Sequence, residues 1–128
     1  MDSQKSPIQS LLLHGTMIAE ADISAYRDVL GVLRNADVKL AFTAVFHGAL
    51  SEMGLGDDQD GVCELEGEEV FGMVLTFGGD GTVLETAGML AGRPIPVLGI
   101  NTGRLGFLSH LPMPDAARAL PGILKGAY

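Results

Sequence analysis

Between two apolar stretches the chain reads Phe77-Gly78-Gly79-Asp80-Gly81-Thr82, three glycines around a single carboxylate. Glycines in such a cluster tolerate positive φ and let the backbone come close to a bulky anion, because no Cβ stands in the way. A carboxylate beside phosphates is electrostatically costly, so Asp80 needs a task. It can accept the proton of an attacking hydroxyl, hydrogen-bond a ribose hydroxyl, or help hold a divalent cation between phosphates. The bland alternative is a tight turn, since Asp-Gly is a common turn pair. Placement adds weight to the chemistry. The segment lies where a buried-looking strand, Met73 to Phe77, hands over to a helical stripe of Val83, Leu84, Ala87, Leu90 and Ala91. A helix N-terminus there adds partial positive charge and unpaired N–H groups, the ingredients of a phosphate cradle.

Other phosphate and metal motifs fail on spacing. Leu84 stands where a dinucleotide fingerprint needs its third glycine. No glycine is followed by Lys and then Ser or Thr, so there is no P-loop. The acidic run Asp57-Asp58-Gln59-Asp60-Gly61 imitates a calcium loop, but with Gly61 as the turn glycine the first and twelfth positions fall on Gly56 and Gly67. Carboxylates are required at those places, so a solvated loop is expected over residues 54–69. His14, His47 and His110 show no ligand spacing.

The elements that must carry the loop alternate in type. Leu11-Leu12-Leu13 marks a first buried strand within Ile8 to His14. From Asp22, a candidate cap, to Asn35 the residues Ile23, Tyr26, Val29, Leu30 and Leu33 recur at helical spacing. Val38 to Phe46 reads as a second strand. Met73 to Phe77 and Pro96 to Ile100 are uninterrupted apolar runs, as expected of central parallel strands covered on both faces. The helix between them is predicted to end at Gly92 and Pro94. A last helix is expected over Pro114 to Gly126, broken or kinked at Pro121. Strands alternating with helices imply an α/β fold with a Rossmann-like open, mostly parallel sheet and flanking helices.

Composition narrows the partners. A length of 128 residues, 47% of them hydrophobic, suits one globular domain with a core. Eight basic against sixteen acidic residues give a formal charge of −8, which argues against a nucleic-acid backbone as partner. Small nucleotides are not excluded, because backbone N–H groups hold phosphates without side-chain charge. Cys63 is the sole cysteine, and the stretch Met1 to Ser6 carries no apolar signal. A soluble, cytoplasmic protein without membrane contact is therefore expected.

Two segments together resemble a known family. Gly78-Gly79-Asp80-Gly81-Thr82 is similar to the motif shared by NAD kinases and by diacylglycerol- and sphingosine-type lipid kinases, and more loosely by phosphofructokinases. Downstream, Gly99-Ile100-Asn101-Thr102-Gly103-Arg104-Leu105-Gly106-Phe107-Leu108 resembles the second signature of NAD kinases. Lipid kinases carry a Gly-Thr-Gly-Asn type segment after this strand, and it is absent here. The resemblance is strong over about residues 70–128, and earlier it rests on strand–helix–strand order.

The resemblance implies the N-terminal domain of the NAD kinase/diacylglycerol kinase-like fold. It also implies phosphoryl transfer from ATP, or in some members polyphosphate, to the 2′-hydroxyl of the adenosine ribose of NAD, with Mg²⁺ or another divalent cation. Asp80 would be the general base or hydroxyl-orienting acid. Gly78, Gly79, Gly81 and Thr82 would belong to the nucleotide site, and Phe107 would contact the adenine of NAD. For Asn101 and Thr102 a place in the same cleft stands beside plain turn work. Glu85, where many relatives carry a basic or small residue, would face either the cleft or solvent, and Arg104 either a phosphate or a surface partner. The family's C-terminal β-rich domain, with its Asn-plus-acid signature, is absent from these 128 residues. The whole chain, 1–128, is thus expected to be the N-terminal nucleotide-binding domain of an enzyme that is a homo-oligomer when complete, and nearly inactive alone. The alternatives are a lipid-type kinase domain and a non-catalytic nucleotide sensor.

Overall fold

The computed structural model describes residues 6–63, 70–90, 92–102 and 111–126. Six strands form one parallel sheet: β1 (Ser10–Gly15), β2 (Lys39–Phe42), β3 (Gly61–Val62), β4 (Met73–Gly78), β5 (Val97–Asn101) and β6 (Leu111–Pro112). Their spatial order is β3-β2-β1-β4-β5-β6. The chain winds outward from β1 in one direction, then returns to β4 and winds outward in the other. The order therefore reverses between β1 and β4, where Leu13 pairs with Leu75 and Gly15 with Phe77. Open sheets bind ligands at the carboxyl ends of their strands beside such a reversal.

Side chains along each strand alternate between the two faces. Leu11, Leu13, Phe42, Met73, Leu75, Phe77 and Ile100 face three helices, α1 (Ile23–Asn35), α2 (Ala44–Glu52) and α4 (Met113–Leu124). Those helices contribute Tyr26, Val29, Leu30, Leu33, Phe46, Leu50, Met113, Ala116, Leu120 and Leu124 to the same core. Leu12, Ala41 and Val74 face the other way, toward α3 (Asp80–Leu90), with Phe71, Leu90 and Ile95 completing a smaller cluster.

Several boundaries differ from the sequence reading. The expected second strand stops at Phe42, and Thr43 begins α2 by accepting from Phe46 N at 3.4 Å. Val, Phe and Thr suit a strand by propensity, but a Thr cap followed by a buried Phe46 and Leu50 one turn apart is a helix start. Asp22 precedes α1 at the end of a 3-10 turn, Glu20–Asp22, and makes no side-chain cap bond. Helix α4 continues through Pro121 to Leu124 rather than breaking. Proline there removes only the bond to the Ala117 carbonyl, one turn from the helix end, and its ring is exposed. Helix α3 does end as expected, with Gly92 at φ +81° and Arg93 N donating to Leu90 O at 3.0 Å.

The stretch read as a solvated loop is ordered where it is described. The Asp60 carboxylate is 4% exposed and takes Arg34 Nη2 at 2.7 Å and Nε at 3.2 Å. It also accepts from Asp57 N at 2.9 Å, and His47 Nε2 lies 3.4 Å away. A buried carboxylate needs such a set of donors. Its function is to seat this segment beside β2 and β3. Residues 64–69 lie outside the described residues.

Candidate nucleotide-binding site

Strand β4 delivers the glycine loop to the carboxyl end of the sheet, and α3 begins within it at Asp80. Gly78 has φ +154°, and a Cβ there would stand 2.8 Å from Thr82 Cβ and nearer still to its hydroxyl. Only glycine fits. Gly79 and Gly81 do not use the positive φ that glycine allows, and a Cβ on either would meet nothing within 4 Å. The space above both is open. Gly79 O caps the new helix, accepting from Thr82 N at 3.1 Å and Val83 N at 3.2 Å. Asp80 is half-buried in the first turn.

The loop is tied to its neighbour strand. Gly78 pairs in register with Asn101, and Thr102 N donates to Gly78 O at 3.2 Å. Asn101 is buried, and with Thr102 it lines a cleft of about 480 Å³ bounded also by Asp22, Ala25 and Met113. The cleft opens between the starts of α1 and α4 at the same end of the sheet. Behind it, burial pushes the Tyr26 hydroxyl well above the ordinary phenol range, with the charge of Asp22 adding to the shift and a weak interaction with Thr102 opposing it. That hydroxyl has no well-formed hydrogen bond. Another groove, about 440 Å³ and lined by Pro7, Ile8, Val32, Pro121 and Leu124, sits at the amino end of β1, away from the loop.

On the α3 side of the sheet, His14, Thr43 and Thr76 form a polar layer beneath the helix that meets its Glu85 and Thr86. His14 is 2% exposed, with Nδ1 2.8 Å from Thr43 Oγ1 and Nε2 3.2 Å from Glu85 Oε1. Thr86 donates to Thr82 O at 2.8 Å and lies 3.0 Å from Thr76 Oγ1. A hydroxyl has one proton, so Thr76 is the donor in that second contact. Glu85 therefore reaches back toward β1 while its side chain stays 51% exposed. The hydropathic stripe expected on α3 matches its buried face only at Leu90: Leu84 is 62% exposed, whereas Thr86, outside the stripe, is buried. Helical spacing of Thr82, Thr86 and Leu90 was the available signal, hidden because two of the three are polar.

Gly78 to Thr82 are thus gathered in one loop, with Asn101 and Thr102 alongside. Phe107, Arg104 and His110 lie outside the described residues. Among the described residues no group of three or more His, Cys, Asp or Glu is placed to cage a metal. A divalent ion carried on nucleotide phosphates needs no such cage and uses one or two carboxylates, a part that Asp80 fits. Among the described residues no helix is long and apolar enough to cross a membrane.

Comparison with known proteins agrees with this geometry. A family model described as the ATP-NAD kinase N-terminal domain matches residues 24–128. The NAD kinase of Acidithiobacillus ferrooxidans is 54% identical over 56 residues, which are 44% of this chain and 19% of that protein. The NAD kinase of Methanothermobacter thermautotrophicus is 45% identical over 56 residues, 44% of this chain and 20% of that one. The crystal structure of yeast NADH kinase complexed with NADH superposes with a TM-score of 0.70 at 18% identity, over 94% of this chain and 39% of that one. The matches span about a fifth of these curated relatives' length and about two fifths of the solved one. The last comparison bears on the fold alone. On the match over most of its length, the chain belongs to the ATP-NAD kinase family and corresponds to its N-terminal domain.

Proposed function

We propose that this chain supplies the phosphate-binding and catalytic loop of an enzyme that transfers a phosphoryl group from ATP to the 2′-hydroxyl of the adenosine ribose of NAD. The observation that carries the reading is the loop at the start of α3, where Gly79 and Gly81 leave open space beside the one carboxylate, Asp80. Phosphoryl transfer asks a protein mainly for positioning and charge stabilisation. Gly78 to Thr82 would hold phosphates on backbone groups and on the dipole of α3. Asp80 would orient the attacking hydroxyl and take its proton as the O–P bond forms. Phe107 would meet the adenine, as the family resemblance implies. Asp80 and Thr82 carry the side-chain oxygens of the motif that would hold a divalent cation, which would supply positive charge against the phosphates.

In this reading a C-terminal β-rich domain completes the NAD site, the complete enzyme is a cytoplasmic homo-oligomer, and the chain alone is nearly inactive. The test is NADP formation from NAD, ATP and Mg²⁺, measured for this chain and for a form completed by a C-terminal domain. Turnover only in the longer form is expected. Asp80→Asn in that form should keep the fold and cut turnover by at least about a hundredfold. Robust NADP formation by the chain alone would overturn the domain reading, and near-normal turnover of Asp80→Asn would leave Asp80 a turn residue.

A further inference from the structure

We propose that His14 is a positioning residue for the glycine loop: it tethers Glu85, and with it the first turns of α3, to the carboxyl end of β1. Its kinetic consequence rests on the kinase reading above. Helix α3 has thin apolar anchorage, with only Thr86 and Leu90 of its residues buried and Leu84 turned to solvent. Apolar burial is non-directional, so Leu90 and the partly buried Met89 do not by themselves fix the rotation of an eleven-residue helix about its axis. Directional bonds can. One set joins Thr86 to Thr76 of β4, and the other joins Glu85 to His14 of β1. These ties reach two adjacent strands, one on each side of the point where the sheet reverses.

For a neutral His14 ring the partners select one tautomer. An ionised Glu85 only accepts, so His14 Nε2 carries the proton and donates to it. In the neutral ring Nδ1 then accepts, and the Thr43 hydroxyl donates at 2.8 Å. The Thr43 oxygen accepts in turn from Phe46 N as the cap of α2. His14 is thus held from its buried side by a helix cap, and the reach to Glu85 is set by the scaffold. Glu85 follows Asp80 by five residues on the same helix. Cutting the tether frees α3 to turn and misplaces Asp80, while the large core on the opposite face is untouched.

Asparagine and glutamine separate the two bonds of the ring. Asn copies the Nδ1 position and cannot reach Glu85, whereas Gln copies Nε2 with its donor and gives up Thr43. In the completed enzyme, His14→Asn and Glu85→Ala should each lower kcat about ten- to a hundredfold, with KM changed by less than about twofold. The double variant should be no slower than the slower single, and His14→Gln should recover to within about threefold of the parent. In this chain, amide exchange over residues 81–86 should quicken in His14→Asn and Glu85→Ala but not in His14→Gln, with α1 and α4 unchanged in all three. Losses that multiply in the double variant, or a His14→Gln as impaired as His14→Asn, overturn the tether. If the parent forms no NADP, the kinase reading fails and exchange decides alone: quickening in Asn but not Gln upholds the tether, and equal exchange overturns it.

Discussion

The two faces of the sheet are built on different principles. On one, three helices bury a continuous apolar core in which Phe46 stacks on Phe77 with ring centres 5.2 Å apart, and Tyr26 packs against both at 6.1 and 5.4 Å. Gly15 belongs to that packing, because a Cβ there would press to 2.9 Å from the Phe46 ring. On the other face, α3 lies over a smaller apolar cluster and is tied by hydrogen bonds from its Glu85 and Thr86 to His14 and Thr76. The larger apolar core lies on the first face, and on the function proposed above the second face positions the glycine loop. Directional bonds add less free energy than apolar burial, but they fix a helix end to within the tolerance that a phosphate loop needs.

Substitutions on each face sharpen that contrast. Phe46→Ala should cost about 3–5 kcal/mol in chemical denaturation, as deletion of a buried aromatic does, without bringing any group of the loop out of place. A loss under about 1 kcal/mol would show that the aromatic cluster is not where stability lies. Gly78→Ala should cost about 1–3 kcal/mol from backbone strain alone, and more if Thr82 cannot move. Its signature is weaker nucleotide binding, read by calorimetry, out of proportion to the stability lost. Thr86→Val leaves the Thr76 hydroxyl buried with no acceptor, which costs about 1–3 kcal/mol. Adding Thr76→Val should recover most of that loss, since replacing both partners is nearly neutral. A double variant worse than the single would mean the threonines pack by shape and not by their bond.

The smallest effect is expected at Tyr26. Its hydroxyl is buried without a well-formed bond, so Tyr26→Phe should change stability by less than about 1 kcal/mol at neutral pH. At high pH the two proteins diverge. Folded Tyr26 keeps its proton above the ordinary phenol value of 10.0, so beyond that pH the native state binds more protons than the unfolded one. The parent then loses stability as pH rises through and past 10, and Tyr26→Phe is spared that contribution. Parallel melting curves for the two proteins from pH 9 to 11 would refute the burial of this hydroxyl.

How much could be read in advance follows the same division. The strand–loop–helix–strand unit from Met73 to Ile100 was legible, since apolar runs, glycines and Gly92 all act within a few residues of one another. The parallel sheet followed from uninterrupted strands such as Leu11-Leu12-Leu13. Helix α2 was not legible by propensity, because its opening residues Ala44-Val45-Phe46 suit a strand equally well, and only the cap at Thr43 tells the two apart. Two-residue strands β3 and β6 are too short to carry a periodic pattern. The polar layer was invisible for another reason. His14 meets partners 29 and 71 residues away, and hydropathy treats Thr86 as a surface residue.

The backbone bond from Ile8 N to Leu124 O, 2.8 Å long, joins the lead-in to the first strand to the last helix. Synthesis proceeds from the amino end, so β1 and α1 leave the ribosome long before the element that covers them. Until about residue 124 has emerged, the apolar residues that α1 and β4 share with Ala116 and Leu120 stay open to water. Assembly of the larger core therefore waits on α4, and until that helix has emerged the nascent chain offers a sticky flank to chaperones.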